Sequence, residues 1–289
     1  MIYLSHFTLP KQARREMVLE ELVNNRTCYS NFYPFQVFDN WEEETFSFEP
    51  ITILYGGNGS GKTTLLNLIG EKLRLERRSV FNSSSFFADF VDLCRAEGEA
   101  PAGSAVLTSD DVFDDLLDLR NLNQGIDRER TELLAEYKDL RESGFQMKSL
   151  DDYDQLKKVV RATGRKASGS SFVKASIGEN IRGKSNGETA FRYFIDRIKE
   201  DALYLLDEPE NSLSVQRQRE LAQFLEDSAR FFGCQIILAT HSPILLAMQG
   251  ARVYDLDRRP IAVRKWTDLP AVRAWYEFFK EHGDRKSVV

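Results

Sequence analysis

Apolar and polar positions change period several times along this chain, and each change predicts an element. ITILY, residues 51–55, is an unbroken β-rich apolar run that stops at glycines, the pattern of a buried parallel strand. In the TTLLNLIGEKL that follows, Leu65, Leu66, Ile69 and Leu73 recur at helical spacing. The order is therefore strand, glycine turn, helix. It returns later, where Ala202 to Leu206 is an apolar strand ending in acids, a helix runs from about Val215 to Phe232, and Gln235 to Thr240 reads as a third strand. Upstream, FQVF (Phe35 to Phe38) and ETFSFEP (Glu44 to Pro50) alternate around Asp39 and Asn40 and predict a β-hairpin.

The middle of the chain has another character. Ser109 is placed to cap a helix beginning DDVFDDLLDLR, with acids in its first turn. Asp127 to Glu142 is highly charged with few apolar positions, the mark of an exposed helix, and Asp151 to Arg161 predicts another. Arg161 to Ser176 is rich in glycine, serine and basic residues and reads as a mobile segment. Residues from about 80 to 183 thus form a mostly helical insertion in an α/β core. In the tail, Trp266, Trp275, Tyr276, Phe278 and Phe279 suggest a short helix and its docking contacts, core packing being the commoner use of such rings and a partner-docking site the alternative. There is no internal repeat and no sustained heptad.

Composition narrows the class. With 289 residues, 42% of them hydrophobic, the chain can bury one large domain or a core with an insertion. A net charge of −6 gives no global attraction to nucleic acid or anionic lipid. No apolar run approaches the roughly 18 residues of a membrane span. The N-terminus lacks the apolar stretch and cleavage site of a signal peptide, and Cys28, Cys94 and Cys234 are isolated thiols without CxxC spacing, so a cytoplasmic location is expected. His6, His241 and His282 are too scattered to suggest zinc.

The glycine turn carries the chemistry. GGNGSGKT, Gly56 to Thr63, satisfies G-x-x-x-x-G-K-[ST] with a strand before it and a helix after it. Glycines let the chain curl so that backbone N–H groups of Asn58, Gly59, Ser60 and Gly61 face one anion, reinforced by the helix N-terminus. Lys62 reaches the β- and γ-phosphates of a nucleoside triphosphate and the Thr63 hydroxyl helps to hold Mg²⁺. The bare pattern arises by chance on the order of once in a hundred chains of this length. Asp207 and Glu208 close the acid-bearing strand at the carboxyl edge of the sheet, where nucleotide sites gather. Asp207 suits the metal shell and Glu208 the activation of a water, although a polar Asp-Glu-Pro turn is the plain alternative. His241 emerges from its own strand at the same edge, as a γ-phosphate contact or as a simple strand cap.

These pieces occur in one order, GGNGSGKTT, SNGET, LYLLDEPE, ATHSP. That order resembles the ABC-type ATPases, and more narrowly the small members labelled predicted AAA-family ATPases, akin to RecF, SMC and OLD-type heads and to Septu-type phage-defence ATPases. The resemblance runs from about Ile51 to Leu246. It implies a P-loop NTPase core of the ABC-ATPase type with N-terminal β-strands and a mostly helical insertion, and a head-to-tail homodimer with two ATP molecules at its seam. It carries Gly56, Asn58, Gly59, Gly61, Lys62, Thr63 and Thr64 into the phosphate and metal site, Asp207 into the metal-acid position, Glu208 into that of the general base and His241 into that of the switch. Ser185, Asn186, Gly187 and Glu188 fall on the signature motif, which in such dimers serves the partner's nucleotide. The chain then divides into 1–80 with the phosphate loop, 81–183 as the insertion, 184–265 with signature, acids and histidine, and 266–289 as the tail.

Three departures from the family pattern stand out. Ser214 replaces the aspartate that communicates across many such dimers. No glutamine marks the lateral metal position, for which Ser109 and Asp110 are the nearest residues. No aromatic is assigned to the adenine, with Tyr33, Phe35 and Phe38 as candidates against plain core packing. The function expected is a cytosolic ATPase that regulates a separately encoded effector in phage defence or DNA transactions. The alternatives are a nucleotide-binding subunit of a membrane transporter, against which the long insertion speaks, and a non-hydrolytic scaffold, against which Glu208 speaks. Arg161, Arg165, Lys166 and Lys174 form a basic cluster that is either a nucleic-acid contact or a solvated loop.

Overall fold

The computed structural model describes residues 1–142, 153–163, 168–174 and 186–283. Strand β1 (Leu4–Thr8) leads into α1 (Gln12–Asn25), a 3-10 turn at Phe35–Phe38, the short β2 (Thr45–Ser47) and β3 (Ile51–Tyr55). The phosphate-loop helix α2 (Lys62–Leu73) follows, then α3 (Phe87–Leu93), β4 (Arg95–Gly98) and β5 (Ala105–Thr108). Three helices come next, α4 (Ser109–Glu142), α5 (Tyr153–Thr163) and α6 (Gly169–Lys174). The alternation resumes with α7 (Asn186–Arg197), β6 (Leu203–Asp207), α8 (Val215–Phe231), β7 (Gln235–Ala239) and α9 (Pro243–Leu246). The chain closes with β8 (Arg252–Asp255), β9 (Ala262–Arg264) and α10 (Pro270–Gly283).

The principal sheet has the order β5-β6-β7-β3-β8-β9. Its first five strands are parallel and β9 returns antiparallel to β8. ITILY is buried at every position, as a strand covered on both faces must be. A second, antiparallel sheet has the order β2-β1-β4. Gln235 ties the two sheets together. Its side-chain oxygen accepts the N–H groups of Tyr3 and Leu4 at 2.8 and 2.9 Å, and its amide donates to the Leu4 carbonyl at 2.8 Å.

Helix α2 is buried over Leu65, Leu66, Leu68 and Ile69 and shares one apolar core with both sheets. A methyl group on Gly70 would stand 2.9 Å from Val106, so this position needs a glycine for α2 to lie close to β5. The expected hairpin is absent. Only Thr45–Ser47 of its second arm is a strand, and it pairs with β1, while Phe35–Phe38 is a 3-10 turn. The reason is periodicity. Phe35, Phe38 and Trp41 recur every third residue and all three are buried, which a strand alternating in twos could not achieve.

This aromatic turn is held by a buried charge. Arg15 of α1 donates to the carbonyls of Pro10 (2.6 Å), Phe38 (2.7 Å) and Trp41. Replacing it with methionine keeps the bulk but leaves the Pro10 and Trp41 carbonyls without a donor, while the Phe38 carbonyl keeps the Trp41 N–H at 2.9 Å. Arg15→Met should lose about 3 kcal/mol in a urea titration. A loss below about 0.5 kcal/mol would show that the turn stands without it.

Helix α4 is capped one residue earlier than expected. Thr108, not Ser109, receives the Asp111 N–H on its hydroxyl at 3.2 Å, and the Asp111 carboxylate returns to the Thr108 N–H at 2.8 Å. That is a reciprocal capping box with aspartate in the glutamate position. The two helices expected between 110 and 142 are one.

The described chain falls into two compact units, Met1–Val112 with Asn186–Val289, and Phe113–Ser185. Composition placed the start of the insertion near residue 80, but α3, β4 and β5 lie in the first unit with both sheets. In the second unit Tyr137, Leu140, Val159, Ala162 and Phe172 form a small apolar cluster, and Lys158 pairs with Glu136 at 2.8 Å. Of the segment expected to be mobile, 161–163 closes α5 and 169–174 forms α6, with 164–167 and 175–176 outside the described residues. From the basic cluster, Arg161 lies over the Phe172 ring at 5.6 Å, and Arg165 and Lys166 are outside the described residues.

The tail also departs from expectation. Leu269 is fully buried and seats the segment, but Trp275, Tyr276 and Phe279 of α10 are 50%, 67% and 62% exposed. Trp275 stacks on Phe279 at 5.8 Å, and both rings meet Phe278. No described helix is long and apolar enough to cross a membrane.

Candidate active site

Parallel strands deliver their following loops to one edge, and here that edge collects the chemistry. The phosphate loop follows β3, Asp207 and Glu208 end β6, His241 follows β7 and Ser109 follows β5. Register aligns them, since Asp207 pairs with Ala239 and Ala239 with Leu54.

Gly61 caps α2 in the left-handed region at φ +92°, and Gly59 has φ +80°, conformations that side chains rarely adopt. Together with Asn58, Ser60, Lys62, Thr63 and Thr64 they line a cleft of about 220 Å³ that also touches Glu208 and Val37. Gly56 lies against Ser60, where an added methyl would come within 2.5 Å of the hydroxyl. The N-terminus of a twelve-residue helix opens on this cleft, so its amides and its positive end favour an anion.

Lys62 is turned back on its own loop. Its ammonium donates to the carbonyls of Gly56 (2.8 Å) and Gly57 (3.1 Å) and to His241 Nε2 (2.9 Å). Burial lowers the pKa of Lys62, while the carboxylates of Glu208 and Asp207 work in the opposite direction. Because the ammonium only donates, Nε2 of His241 accepts. Glu208 Oε1 lies 3.3 Å from the same nitrogen.

Thr63 Oγ1 donates to Asp207 Oδ1 at 3.1 Å. Two oxygens at that separation fit adjacent corners of an octahedron with metal–oxygen distances of about 2.1 Å, the Mg²⁺ geometry. Burial raises the Asp207 carboxyl from 3.8 to about 6, against the Thr63 hydrogen bond that lowers it and with Glu208 that raises it. A cation would reverse that balance.

Glu208 occupies the left-handed region at φ +46°, a conformation that costs a non-glycine residue about 1 kcal/mol or more. Its N–H bonds the Ala239 carbonyl at 2.9 Å, which fixes the turn. The turn takes the Glu208 side chain out of the strand and onto the cleft. There Oε2 accepts from the amide of Asn211 at 3.0 Å, and the same amide reaches Ser109 Oγ at 3.4 Å.

Glu210 supports the histidine. One of its oxygens accepts the Thr240 hydroxyl (2.6 Å) and the N–H groups of His241 (2.7 Å) and Ser242 (3.2 Å). Asn211 and Glu210 both escaped the sequence reading. Their partners come from elsewhere in the fold, Ser109 after β5 for Asn211 and the loop after β7 for Glu210.

The signature segment is partly visible. α7 begins at Asn186, and a methyl on Gly187 would stand 3.3 Å from the Ser212 carbonyl, so the helix start lies against the turn after Glu208. Glu188 is in its first turn, and Ser185 lies outside the described residues. Ser214 caps α8 through the Arg217 N–H at 3.4 Å. Of the aromatic candidates, Phe35 and Phe38 are core residues. Tyr33 is half-buried, stacks on Phe87 and donates to Thr64 Oγ1 at 3.0 Å, so the Thr64 side chain faces Tyr33.

The chain is similar to several known proteins. A sequence model described as "AAA domain, putative AbiEii toxin, Type IV TA system" matches residues 185–247, and a second AAA-domain model matches 29–70. The lipoprotein-releasing system ATP-binding protein LolD of Chromohalobacter salexigens is 28% identical over 77% of this chain and 83% of its own length. Among solved structures, an Smc head domain from Pyrococcus furiosus, bound to the C-terminal domain of ScpA, aligns with a TM-score of 0.44 at 14% identity, covering 97% of this chain and 99% of that one. A putative metal-chelate type ABC transporter aligns at 0.42 and 16%, covering 96% and 90%. The phosphate loop and the signature-to-histidine segment each match an AAA-domain model, and the chain carries an ATPase nucleotide-binding domain of the ABC and AAA type, akin to these relatives.

Proposed function

We propose that this chain binds ATP with Mg²⁺, pairs head to tail with a second copy across two nucleotides, and uses binding and hydrolysis to control a separately encoded protein. The observation that carries this reading is the convergence of Lys62, Thr63, Asp207, Glu208 and His241 from three strands on one cleft.

Thr63 and Asp207 are the residues that would hold the metal, which when bound neutralises charge on the β- and γ-phosphates. Triphosphate exchanges for the carbonyls that Lys62 now holds, and the loop amides take the phosphate oxygens. Glu208 accepts a proton from water as the water oxygen bonds to the γ-phosphorus and the bond to the bridging oxygen breaks, leaving ADP and phosphate. His241, positioned by Glu210, donates to the γ-phosphate. Asn211 aims Glu208. The second half-site comes from Ser185, Asn186, Gly187 and Glu188 of the other copy, with the positive end of α7 toward the γ-phosphate. Resemblance to Septu-type ATPases and to SMC-type heads supports an effector in phage defence or in DNA transactions, and a cytoplasmic setting.

The likeness to LolD supports a second reading, the nucleotide-binding subunit of a transporter. Membrane fractionation of the chain expressed with its genomic neighbours separates the two. The first test is direct. Full-length chain with ATP and Mg²⁺ should bind nucleotide and release phosphate, and failure to bind at millimolar ATP would sink the proposal.

A pH effect follows from Asp207. Without metal, its folded carboxyl titrates at about 6 against 3.8 ordinarily, so protonation favours the folded state. That stabilisation is fully present below 3.8 and is lost as pH rises through about 6. Mg²⁺ needs the carboxylate, so its affinity should fall roughly tenfold per unit of pH below the folded value. Melting-temperature shifts by ATP with Mg²⁺, over ATP with EDTA, should therefore shrink between about pH 7.5 and about pH 5. A shift that stays constant would remove Asp207 from the metal shell.

A further inference from the structure

The phosphate loop is gripped from a side that the nucleotide chemistry does not use. Gly57 N–H donates to both carboxylate oxygens of Asp257, at 2.7 and 2.9 Å. Asp257 lies two hundred residues away in sequence, on the turn between β8 and β9, and is exposed. An exposed acid beside a loop that must receive a polyanion is electrostatically unfavourable, so its placement asks for a reason.

That turn is anchored on every side. Asp255, 1% exposed, accepts the Asp257 N–H at 3.1 Å and pairs with Arg264 of β9 at 3.3 Å. Leu256 N–H bonds the carbonyl of Tyr55, the residue before the loop, at 2.8 Å. Arg259 lies 4.1 Å over the ring of Trp41, and Trp41 in turn borders Gly61. The turn therefore has fixed points on both ends of the phosphate loop, and Asp257 is the side chain it presents to the loop itself.

We propose that Asp257 is a positioning residue for the phosphate loop. It holds the first bend through the Gly57 N–H, so that the amides beyond Asn58 stay directed into the cleft before any ligand arrives. Its negative charge opposes the phosphates, but a loop already bent loses less freedom on binding. The acceptor oxygens are what matter, and the charge is incidental. As a claim about nucleotide affinity it rests on the nucleotide-site reading above, whereas the ordering of the empty loop does not.

The experiment uses full-length Asp257→Ala and Asp257→Asn. Hydrogen exchange of the peptide covering the loop is measured without nucleotide, and ATP-Mg affinity and turnover at saturation are measured on the same proteins. In Asp257→Ala the loop amides should exchange about tenfold faster and the ATP-Mg Kd should rise about tenfold, with kcat within about twofold of the wild type. Asp257→Asn keeps one carbonyl acceptor and should remain within about threefold of the wild type in both exchange and Kd. Unchanged exchange in Asp257→Ala would overturn the proposal. So would tighter ATP binding by that variant, or an asparagine variant as impaired as the alanine one. A wild-type chain that binds no ATP-Mg would sink the nucleotide reading, while the exchange measurement would still decide whether Asp257 holds the loop.

Discussion

Glu208→Gln protein will bind ATP-Mg about as well as the wild type, lose at least about a hundredfold in turnover, and accumulate as a dimer while nucleotide is saturating. The carboxylate lies 3.3 Å from His241 Nε2 and is aimed by Asn211, with no side-chain contact to the phosphate-loop amides. Its replacement therefore spares the groups that hold the phosphates. Gln keeps the shape, accepts from Asn211 through its oxygen and can donate to Nε2 of His241, so the left-handed turn at φ +46° persists. What it cannot do is take a proton from water, and general-base loss costs roughly 10²–10⁴-fold. Phosphate release and sedimentation with ATP-Mg are the two measurements. Full turnover by this protein would remove Glu208 from catalysis. A monomer at saturating ATP would count against the sandwich unless a partner completes it.

Ser185→Arg is expected to abolish that dimer while leaving each monomer's ATP affinity within about twofold. Ser185 immediately precedes α7, whose first turn packs by Gly187 against the Ser212 carbonyl and whose axis carries a positive end. In the proposed head-to-tail dimer a long cation introduced there would face the partner's nucleotide site rather than its own. Dimer affinity should fall at least about a hundredfold, near 2.7 kcal/mol. Sedimentation of the Glu208→Gln, Ser185→Arg double variant reads it without hydrolysis. If the isolated monomer instead stopped binding ATP, the signature would be serving its own chain and the head-to-tail arrangement would be wrong.

Local signals made the phosphate loop legible. The glycines, Lys62 and Thr63 lie within eight consecutive residues, and the flanking strand and helix show in their own periodicity. Asp207, Glu208 and His241 could be read because each follows an apolar strand, and parallel strands end at one edge. Residues defined by distant partners could not. Asp257 acquires meaning only opposite Gly57, and Glu210 only when β7 brings Thr240 and His241 to it. FQVF misled because four residues cannot separate a period of two from a period of three, and Trp41 settles the matter only after packing. The aromatic tail misled for the opposite reason. Apolar side chains predict burial somewhere, but α10 leaves Trp275, Tyr276 and Phe279 exposed and stacks Trp275 on Phe279.

Gln235 has a consequence for how the first unit holds together. It is the opening residue of β7, the strand that ends at the histidine turn, yet all three of its shortest side-chain bonds go to the backbone of Tyr3 and Leu4. The strand at the head of the chain is thus stitched to the sheet that bears the cleft by one buried amide, and neither sheet can loosen at that seam alone. Order gained at one end of β7 by a ligand in the cleft would pass, through Gln235, to the central strand of the second sheet at the other.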